Sequence, residues 1–170
     1  MPKLPKIGMR IVKSALAVFV CLLIDRLRGG MPFYAAIAAI LCMQPDVANS
    51  LKTAANRVIG TLVGGLAGTL ALTFFVRFLP DPRSLLRCFL TALLIVALMY
   101  VTVLLKKTSA TYITCVVFLS ITVSHGGDLV PYVFALNRVA DTLLGIGVSL
   151  GVNLLPFWRP KPAPPDPPSE

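Results

Sequence analysis

The sequence is poor in the residues that enzymes use for acid–base, metal or nucleophilic chemistry. It contains one histidine, and its seven acidic residues include a single glutamate, which is the last residue of the chain. The four cysteines show no C-x-x-C spacing, and no glycine-rich loop is followed by the lysine of a nucleotide-binding loop. Catalysis of these kinds needs such groups in clusters. We therefore expect no enzymatic activity, no metal site and no cofactor.

Charge is scarce as well. Only 14% of the residues are charged, 56% are hydrophobic, and the mean hydropathy is +0.83. So few charged side chains cannot cover a soluble core of this length, which predicts an integral membrane protein. The net charge of +9 comes from basic residues at the ends of apolar runs. This distribution is typical of membrane topology and lipid headgroup contact, so we expect the lipid bilayer as a partner and no nucleic acid.

The apolar runs predict six membrane-spanning helices. A helix needs about 20 mostly apolar residues to cross a bilayer core. The predicted spans are 7–27, 32–43, 57–78, 86–105, 111–124 and 130–157. We predict one transmembrane module over residues 1–157, followed at 158–170 by a disordered, proline-rich tail.

The basic residues also predict an orientation. With the N-terminus inside, ten of them lie on the cytoplasmic side of the six spans and six lie on the opposite side. Cytoplasmic segments carry an excess of lysine and arginine. The sequence therefore predicts a multi-pass protein with both termini in the cytoplasm.

The two halves of the chain contain a similar sequence segment. Residues 56–69 read NRVIGTLVGGLAGT and residues 137–147 read NRVADTLLGIG, at an offset of 81. The same offset places the short second span on the short fifth span. An internal repeat indicates the overall architecture of a chain more directly than local sequence detail does. We predict two homologous three-helix units, repeat one at about 7–78 and repeat two at about 86–157.

An odd number of spans per unit makes the second unit run upside down relative to the first. The predicted fold is therefore an all-α polytopic membrane protein with six transmembrane helices arranged as two inverted repeats. Inverted repeats recur in secondary transporters, whose substrate sites lie near the midplane where the two halves meet. Unusually short spans in matching positions, here 33–43 and 114–124, mark that region.

Glycines at every fourth position predict a close helix contact. Gly60, Gly64 and Gly68 share one face of the third span, where another helix can approach closely. The corresponding face of the sixth span consists of four residues: Asp141, Gly145, Ser149 and Asn153. This polar face can either line a water-filled cavity or hydrogen-bond to a neighbouring helix.

Three charged residues lie inside or beside the predicted spans. Asp141 is predicted about one turn inside the sixth span, where a carboxylate usually has a partner or a function. Arg138 can pair with it across one turn and fix the helix end; alternatively, Asp141 takes part in proton coupling or substrate gating. Arg57 and Arg138 are predicted at helix starts, where a cation needs an anionic partner. Lipid phosphate and a substrate carboxylate held with free helix N–H groups are the two candidates.

Two segments carry a family resemblance. The run PFYAAIAAILCMQPDVANSLKTAANRVIGTLVGGLAG resembles the first half of the membrane module of the aromatic acid exporter and fusaric acid resistance-like family. The run NRVADTLLGIGVSLGVNLLP resembles the sixth span of that family. The resemblance covers roughly residues 7–157.

The resemblance implies export of aromatic carboxylates and related weak acids across the bacterial cytoplasmic membrane. The matching positions imply a substrate-binding set of Arg57, Thr61, Arg138, Asp141, Thr142 and Asn153. The spacing of the glycines predicts a helix-packing set of Gly60, Gly64, Gly68 and Gly145. We expect a small organic anion as substrate and at least a homodimer. Two alternatives stay open at this point: a non-transporting, oligomeric membrane subunit that docks a partner, and a passive anion channel.

Overall fold

The computed structural model describes residues 8–29, 33–123 and 131–155, apart from the side chains of residues 131 and 132. Within these ranges all regular structure is helical, which confirms the all-α prediction. The described residues form six α-helices in succession, and a short 3-10 turn at Thr108–Ala110 precedes the fifth. They are α1 (Met9–Arg28), α2 (Phe33–Cys42), α3 (Val47–Phe78), α4 (Leu85–Leu104), α5 (Thr111–Thr122) and α6 (Pro131–Leu154). The predicted tail at 158–170 lies outside the described residues.

Three of the described helices are long and apolar enough to cross a membrane, namely α3, α4 and α6. The helices α2 and α5 are apolar but shorter, as the sequence predicts. The helix α1 has 20 residues and includes five charged side chains: Arg10, Lys13, Asp25, Arg26 and Arg28. Because of these charges, α1 is not among the helices whose length and composition suit a membrane span. At 1.5 Å per residue, the 32 residues of α3 extend over roughly 48 Å.

The helix α3 begins well before the predicted third span. Its cap is Asp46, whose Oδ1 accepts a hydrogen bond of 2.7 Å from the backbone N–H of Asn49. The Ser50 hydroxyl accepts a 3.1 Å hydrogen bond from the backbone N–H of Gln44, which closes the preceding turn. The prediction that this helix starts at Arg57 is therefore wrong. Arg57 lies about three turns inside α3, because the capped, more polar segment from Val47 onwards is also helical.

The Asp46 cap predicts a pH-dependent contribution to stability. Hydrogen bonds from the backbone N–H and then the side chain of Asn49 lower the pKa of Asp46 below its ordinary value. A carboxyl whose pKa is lower in the folded state stabilises that state above its unfolded pKa, and this contribution is lost as pH falls through the folded pKa. We expect Asp46→Asn to lower the melting temperature slightly at neutral pH, and the difference to shrink in strong acid. Circular dichroism melts of the detergent-solubilised chain measure both, and an equal difference at both pH values would contradict this account.

Three glycines of α3, Gly60, Gly64 and Gly68, lie against α5 and the short turn before it. A Cβ atom at Gly60 would lie 2.9 Å from the Ala110 carbonyl oxygen, and one at Gly68 would lie 3.1 Å from the Cβ of Ile121. At Gly64 a Cβ would overlap the carbonyl oxygen of Thr114. The absence of side chains on this face is what allows the two helices to approach so closely.

The helix α6 packs against α2 and α3. Gly145 gives α2 the same kind of close approach, because a Cβ at this position would overlap the Ala35 carbonyl oxygen and lie 2.6 Å from the Cβ of Ala38. In the last turn of α6, Asn153 donates a 3.0 Å hydrogen bond to Ser50, which lies in the first turn of α3. The last turn of α6 therefore lies beside the first turn of α3, and the two helices run antiparallel.

An arginine binds the C-terminal end of each short helix. Arg10, in the first turn of α1, donates a 2.9 Å hydrogen bond from Nε to the carbonyl oxygen of Met43, just after α2. Arg87, in the first turn of α4, donates from Nη2 to the carbonyl oxygen of Thr122, the last residue of α5, at 3.2 Å. The last carbonyl groups of a helix lack partners within the helix and attract a cation. The two short helices thus end in the same way.

The helices α3 and α6 also bury the same positions. From residue 57 to 73, and from residue 138 to 154, the succession of buried, half-buried and exposed residues is identical. The buried positions of α2 and of the residue after it recur in α5 at a constant offset of 79. The first such pair is Ala35 and Thr114, and the last is Met43 and Thr122. Each pair of helices therefore presents an equivalent face to its neighbours.

Candidate functional site

A basic groove opens between the start of α3 and the start of α5. Its volume is about 430 Å³. The groove is lined by Leu41, Gln44, Asn49, Lys52, Thr53, Asn56, Arg57, Ser109, Tyr112 and Ile113. Two of these side chains are cationic and none is acidic, so the groove favours an anion. Amide and hydroxyl groups line much of the remaining wall and provide hydrogen-bond partners for such a ligand.

Arg57 is the buried cation of this groove. Its relative exposure is 6%, and its Nε and Nη1 atoms make no hydrogen bond within the described part of the chain. No carboxylate of the described residues lies within 4.0 Å of it. The buried hydroxyl of Thr61, one turn along α3, also has no hydrogen-bond partner there. Burial of a cation without a partner is costly, so the geometry points to an anionic ligand.

Arg138 of α6 lies against an aromatic ring of α2. Its guanidinium carbon is 3.4 Å from the centroid of the Tyr34 ring, a cation–π contact, and the residue is 5% exposed. Its Nε and Nη1 make no hydrogen bond among the described residues. The Thr142 hydroxyl donates to the Arg138 carbonyl oxygen at 2.9 Å, within the same helix. The positive charges of Arg57 and Arg138 repel each other across the contact between α3 and α6.

Asp141 pairs with a residue of α1. Its Oδ1 lies 3.6 Å from Nη1 of Arg28, and the same nitrogen lies 3.7 Å from Oδ1 of Asp25. Asp25 is fully buried, and neither of its carboxylate oxygens accepts a hydrogen bond from the described residues. The expected pair between Arg138 and Asp141 is not among the ion pairs of the described residues. The prediction of Arg138 as the partner of Asp141 was wrong because Arg28 belongs to a helix that is distant along the chain.

Asn153 connects the ends of several helices. Its Oδ1 accepts a 3.2 Å hydrogen bond from Lys13 Nζ, and its Nδ2 donates to Ser50 Oγ at 3.0 Å and to the Gln44 carbonyl oxygen at 3.3 Å. Of the two predicted roles of this polar face, the geometry at Asn153 is that of helix-to-helix hydrogen bonding. By contrast, the Ser149 hydroxyl is buried and has no hydrogen-bond partner among the described residues.

The predicted substrate-binding residues therefore form separate groups. Arg57 and Thr61 lie on α3 near the basic groove, while Arg138, Asp141 and Thr142 lie in the first half of α6. Asn153 lies in the last turn of α6. Both arginines lie well inside their helices and are buried, so the prediction that they sit at helix starts is wrong, and the free N–H groups of a first helical turn are not beside them.

Sequence reasoning missed several residues of these groups. Tyr34 and Tyr112 beside the two arginines carried no recognisable pattern. On α1, however, the buried residues Lys13, Ala17, Cys21 and Asp25 follow one another at intervals of four. That spacing places them on one helix face and could have indicated that two charged side chains point into the protein.

Comparisons with known proteins give one family model and one curated relative. A family model described as "Aromatic acid exporter family member 1" matches residues 5–155. The "UPF0421 protein YgaE" of Bacillus subtilis (strain 168) is 31% identical over 157 residues, which cover 92% of this chain and 41% of that protein. The chain thus spans about two fifths of the length of this curated relative. No solved structure matches significantly.

Proposed function

The chain belongs to the aromatic acid exporter family, and from this premise we propose that it is a secondary transporter that exports small aromatic carboxylates or related weak acids. It acts in the bacterial cytoplasmic membrane, with both termini in the cytoplasm. Gln44, which lines the basic groove, lies at the same end of the bundle as the last turn of α6. In this orientation the groove opens toward the cytoplasm, where an exported acid would enter.

The buried, unpartnered guanidinium of Arg57 at the edge of the groove is the observation that carries this proposal. An aromatic carboxylate supplies a planar pair of oxygens for the guanidinium and a ring for the side chain of Tyr112. Lys52, which is exposed in the same groove, adds a second positive charge that attracts the anion from water. Thr61 offers a further hydroxyl one turn deeper.

Arg138 is proposed as a second contact for the anion. It repels Arg57, so an anion that binds beside either arginine reduces this repulsion. The Tyr34 ring lies against the guanidinium of Arg138, so an aromatic ring and a positive charge stand side by side at this position. Asp141 and Arg28 would then control the access between α1 and α6, with Thr142 in the same turn.

The inverted-repeat architecture remains part of the proposal. Two observations support it: the identical burial pattern of α3 and α6, and the arginines that bind the C-terminal ends of α2 and α5. Six membrane crossings follow if α1, α2 and α5 cross with the help of their neighbours and flanking segments. The helix α4 is the least buried of the three long apolar helices, so its outer face is available to lipid or to a second copy. We propose at least a homodimer.

The proposal is tested by flux. We expect purified protein in liposomes to release a labelled hydroxybenzoate, and Arg57→Gln to reduce the rate at least about tenfold, because it removes charge-assisted hydrogen bonds. Arg77→Gln is the matched control, since Arg77 lies on the same helix but is exposed. Flux that is equal in wild type and Arg57→Gln would refute the assignment of Arg57.

The same assay includes Arg138→Gln and Asp141→Asn. Both variants should keep the size-exclusion profile of the wild type and lose flux. Accumulation of the anion against its own gradient, driven by an imposed pH gradient at zero membrane potential, distinguishes proton-coupled transport from a passive channel, whose anion flux follows only the potential and the anion gradient. No flux above empty liposomes over a panel of aromatic acids would favour the non-transporting subunit instead.

A further inference from the structure

A second, smaller basic cavity lies at the start of α1. Its volume is about 150 Å³, and its polar lining comes from Arg10, Lys13, Gln44 and Asn153, together with two methionines and a proline. A water molecule occupies roughly 30 Å³ in the liquid, so the cavity has space for about five non-hydrogen atoms. A phosphate group has that size. No acidic residue among the described parts of the chain lines the cavity.

Lys13 is the unusual residue of this cavity. Its relative exposure is 7%, and its ammonium group donates one hydrogen bond, to Asn153 Oδ1 at 3.2 Å. A lysine ammonium has three N–H donors. No carboxylate of the described residues lies within 4.0 Å of Lys13. Its charge is therefore buried beside one neutral amide oxygen, which leaves it without an anionic partner in that part of the chain.

The fold does not require a lysine at this position. Arg10 binds the end of α2 and Arg87 binds the end of α5 in the same way, and in each case the guanidinium alone supplies the hydrogen bond. Three residues after Arg87 stands Leu90, which packs against an apolar core cluster. Three residues after Arg10 stands Lys13. An apolar side chain therefore suffices where only packing is needed, and the buried cation calls for another explanation.

We propose that this cavity binds a phosphate group, either the headgroup of an anionic phospholipid or free inorganic phosphate. Lys13 supplies the buried positive charge, and Asn153 holds its ammonium group in place. Arg10 is exposed and retains its terminal guanidinium nitrogens for the ligand, because the hydrogen bond to Met43 uses only Nε. Basic pockets between membrane helices are known to accept anionic lipid headgroups. This site is separate from the Arg57 side chain and does not depend on the proposed transport.

The test measures ligand binding by the purified full chain in a neutral detergent. Three ligands are compared by native mass spectrometry and thermal shift: short-chain phosphatidylglycerol, short-chain phosphatidylcholine, and inorganic phosphate against chloride at equal ionic strength. We expect phosphatidylglycerol to bind and phosphatidylcholine not to bind. Lys13→Met should weaken binding about tenfold or more, while Lys107→Met, at an exposed lysine that lines neither cavity, should not.

A second variant separates binding from folding. Arg10→Gln keeps Lys13 and should weaken binding several-fold, and circular dichroism verifies the helix content of each variant. Binding of phosphate as well as phosphatidylglycerol would assign the site to the phosphate group itself, and binding of phosphatidylglycerol alone would assign it to a lipid. Equal binding by wild type and Lys13→Met, equal binding of the zwitterionic lipid, or binding of hydroxybenzoate but neither phosphate compound would overturn the proposal.

Discussion

Gly145→Ala is expected to separate α6 from α2 and to destabilise the folded protein, although it adds only one methyl group. The new Cβ would overlap the carbonyl oxygen of Ala35 and lie 2.6 Å from the Cβ of Ala38. Backbone atoms cannot rotate out of the way, so the helices must move apart. Overpacking of this kind costs about 1–3 kcal/mol or more, and here it outweighs the roughly 1 kcal/mol that alanine gains in helix propensity.

Gly151→Ala is the matched control for this prediction. Gly151 lies on the same helix, and a Cβ at this position would meet nothing within 4 Å. We expect Gly151→Ala to be neutral or slightly stabilising. Yield of monodisperse protein in detergent and the melting temperature measure both variants. If Gly145→Ala and Gly151→Ala behave alike, the close approach of α2 and α6 does not exist in the protein.

Arg28→Gln is expected to destabilise the bundle because two carboxylates lose the cation they share. Arg28 Nη1 lies within 4.0 Å of both Asp25 and Asp141, and Asp25 is fully buried. Breaking a buried ion pair from one side typically costs about 3–5 kcal/mol. The Arg28 side chain is 43% exposed, so solvent screens part of this interaction, and we expect about 1–3 kcal/mol.

Restoring the charge balance should restore stability. In the Arg28→Gln background, Asp25→Asn removes the buried charge and should recover most of the loss. Arg26→Gln is the control, because Arg26 lies in the same last turn of α1 but is exposed and makes none of the ion pairs of the described residues. Melting temperatures of the four proteins form the measurement. A double variant less stable than Arg28→Gln alone would show that Asp25 is held by something other than Arg28.

Local patterns predicted much of the fold. Glycines at every fourth residue indicated which face of α3 meets another helix, and the structure places α5 on that face. The family resemblance, read from the motifs around Arg57 and Arg138, is confirmed by the match over residues 5–155. The start of α3 was predicted too late because hydropathy locates only the apolar part of a helix. The helix begins earlier, where the side chain of Asp46 caps its N-terminus.

The candidate site was harder to predict because its contacts join distant helices. The sequence identifies Asp141 as a carboxylate that needs a partner, but the nearest basic residue along the chain is Arg138, one turn away. The partner that the structure provides is Arg28 of α1. Similarly, nothing in the sequence near Asn153 indicates its hydrogen bonds to Lys13 and Ser50. Such pairings depend on how the helices pack, which spacing within one helix cannot determine.

The contact between α3 and α5 differs in kind from the contact between α3 and α6. Asn153 joins α6 to Ser50 of α3 by a hydrogen bond, whereas the described residues of α3 and α5 make no side-chain hydrogen bond with each other. Glycines face aliphatic side chains along that surface. A shear displacement of α5 along α3 would therefore break no directional interaction between them, and small sliding motions of packed helices are an established form of conformational change. For the proposed transporter, we therefore expect the exposure of the basic groove to change by sliding of α5 along α3.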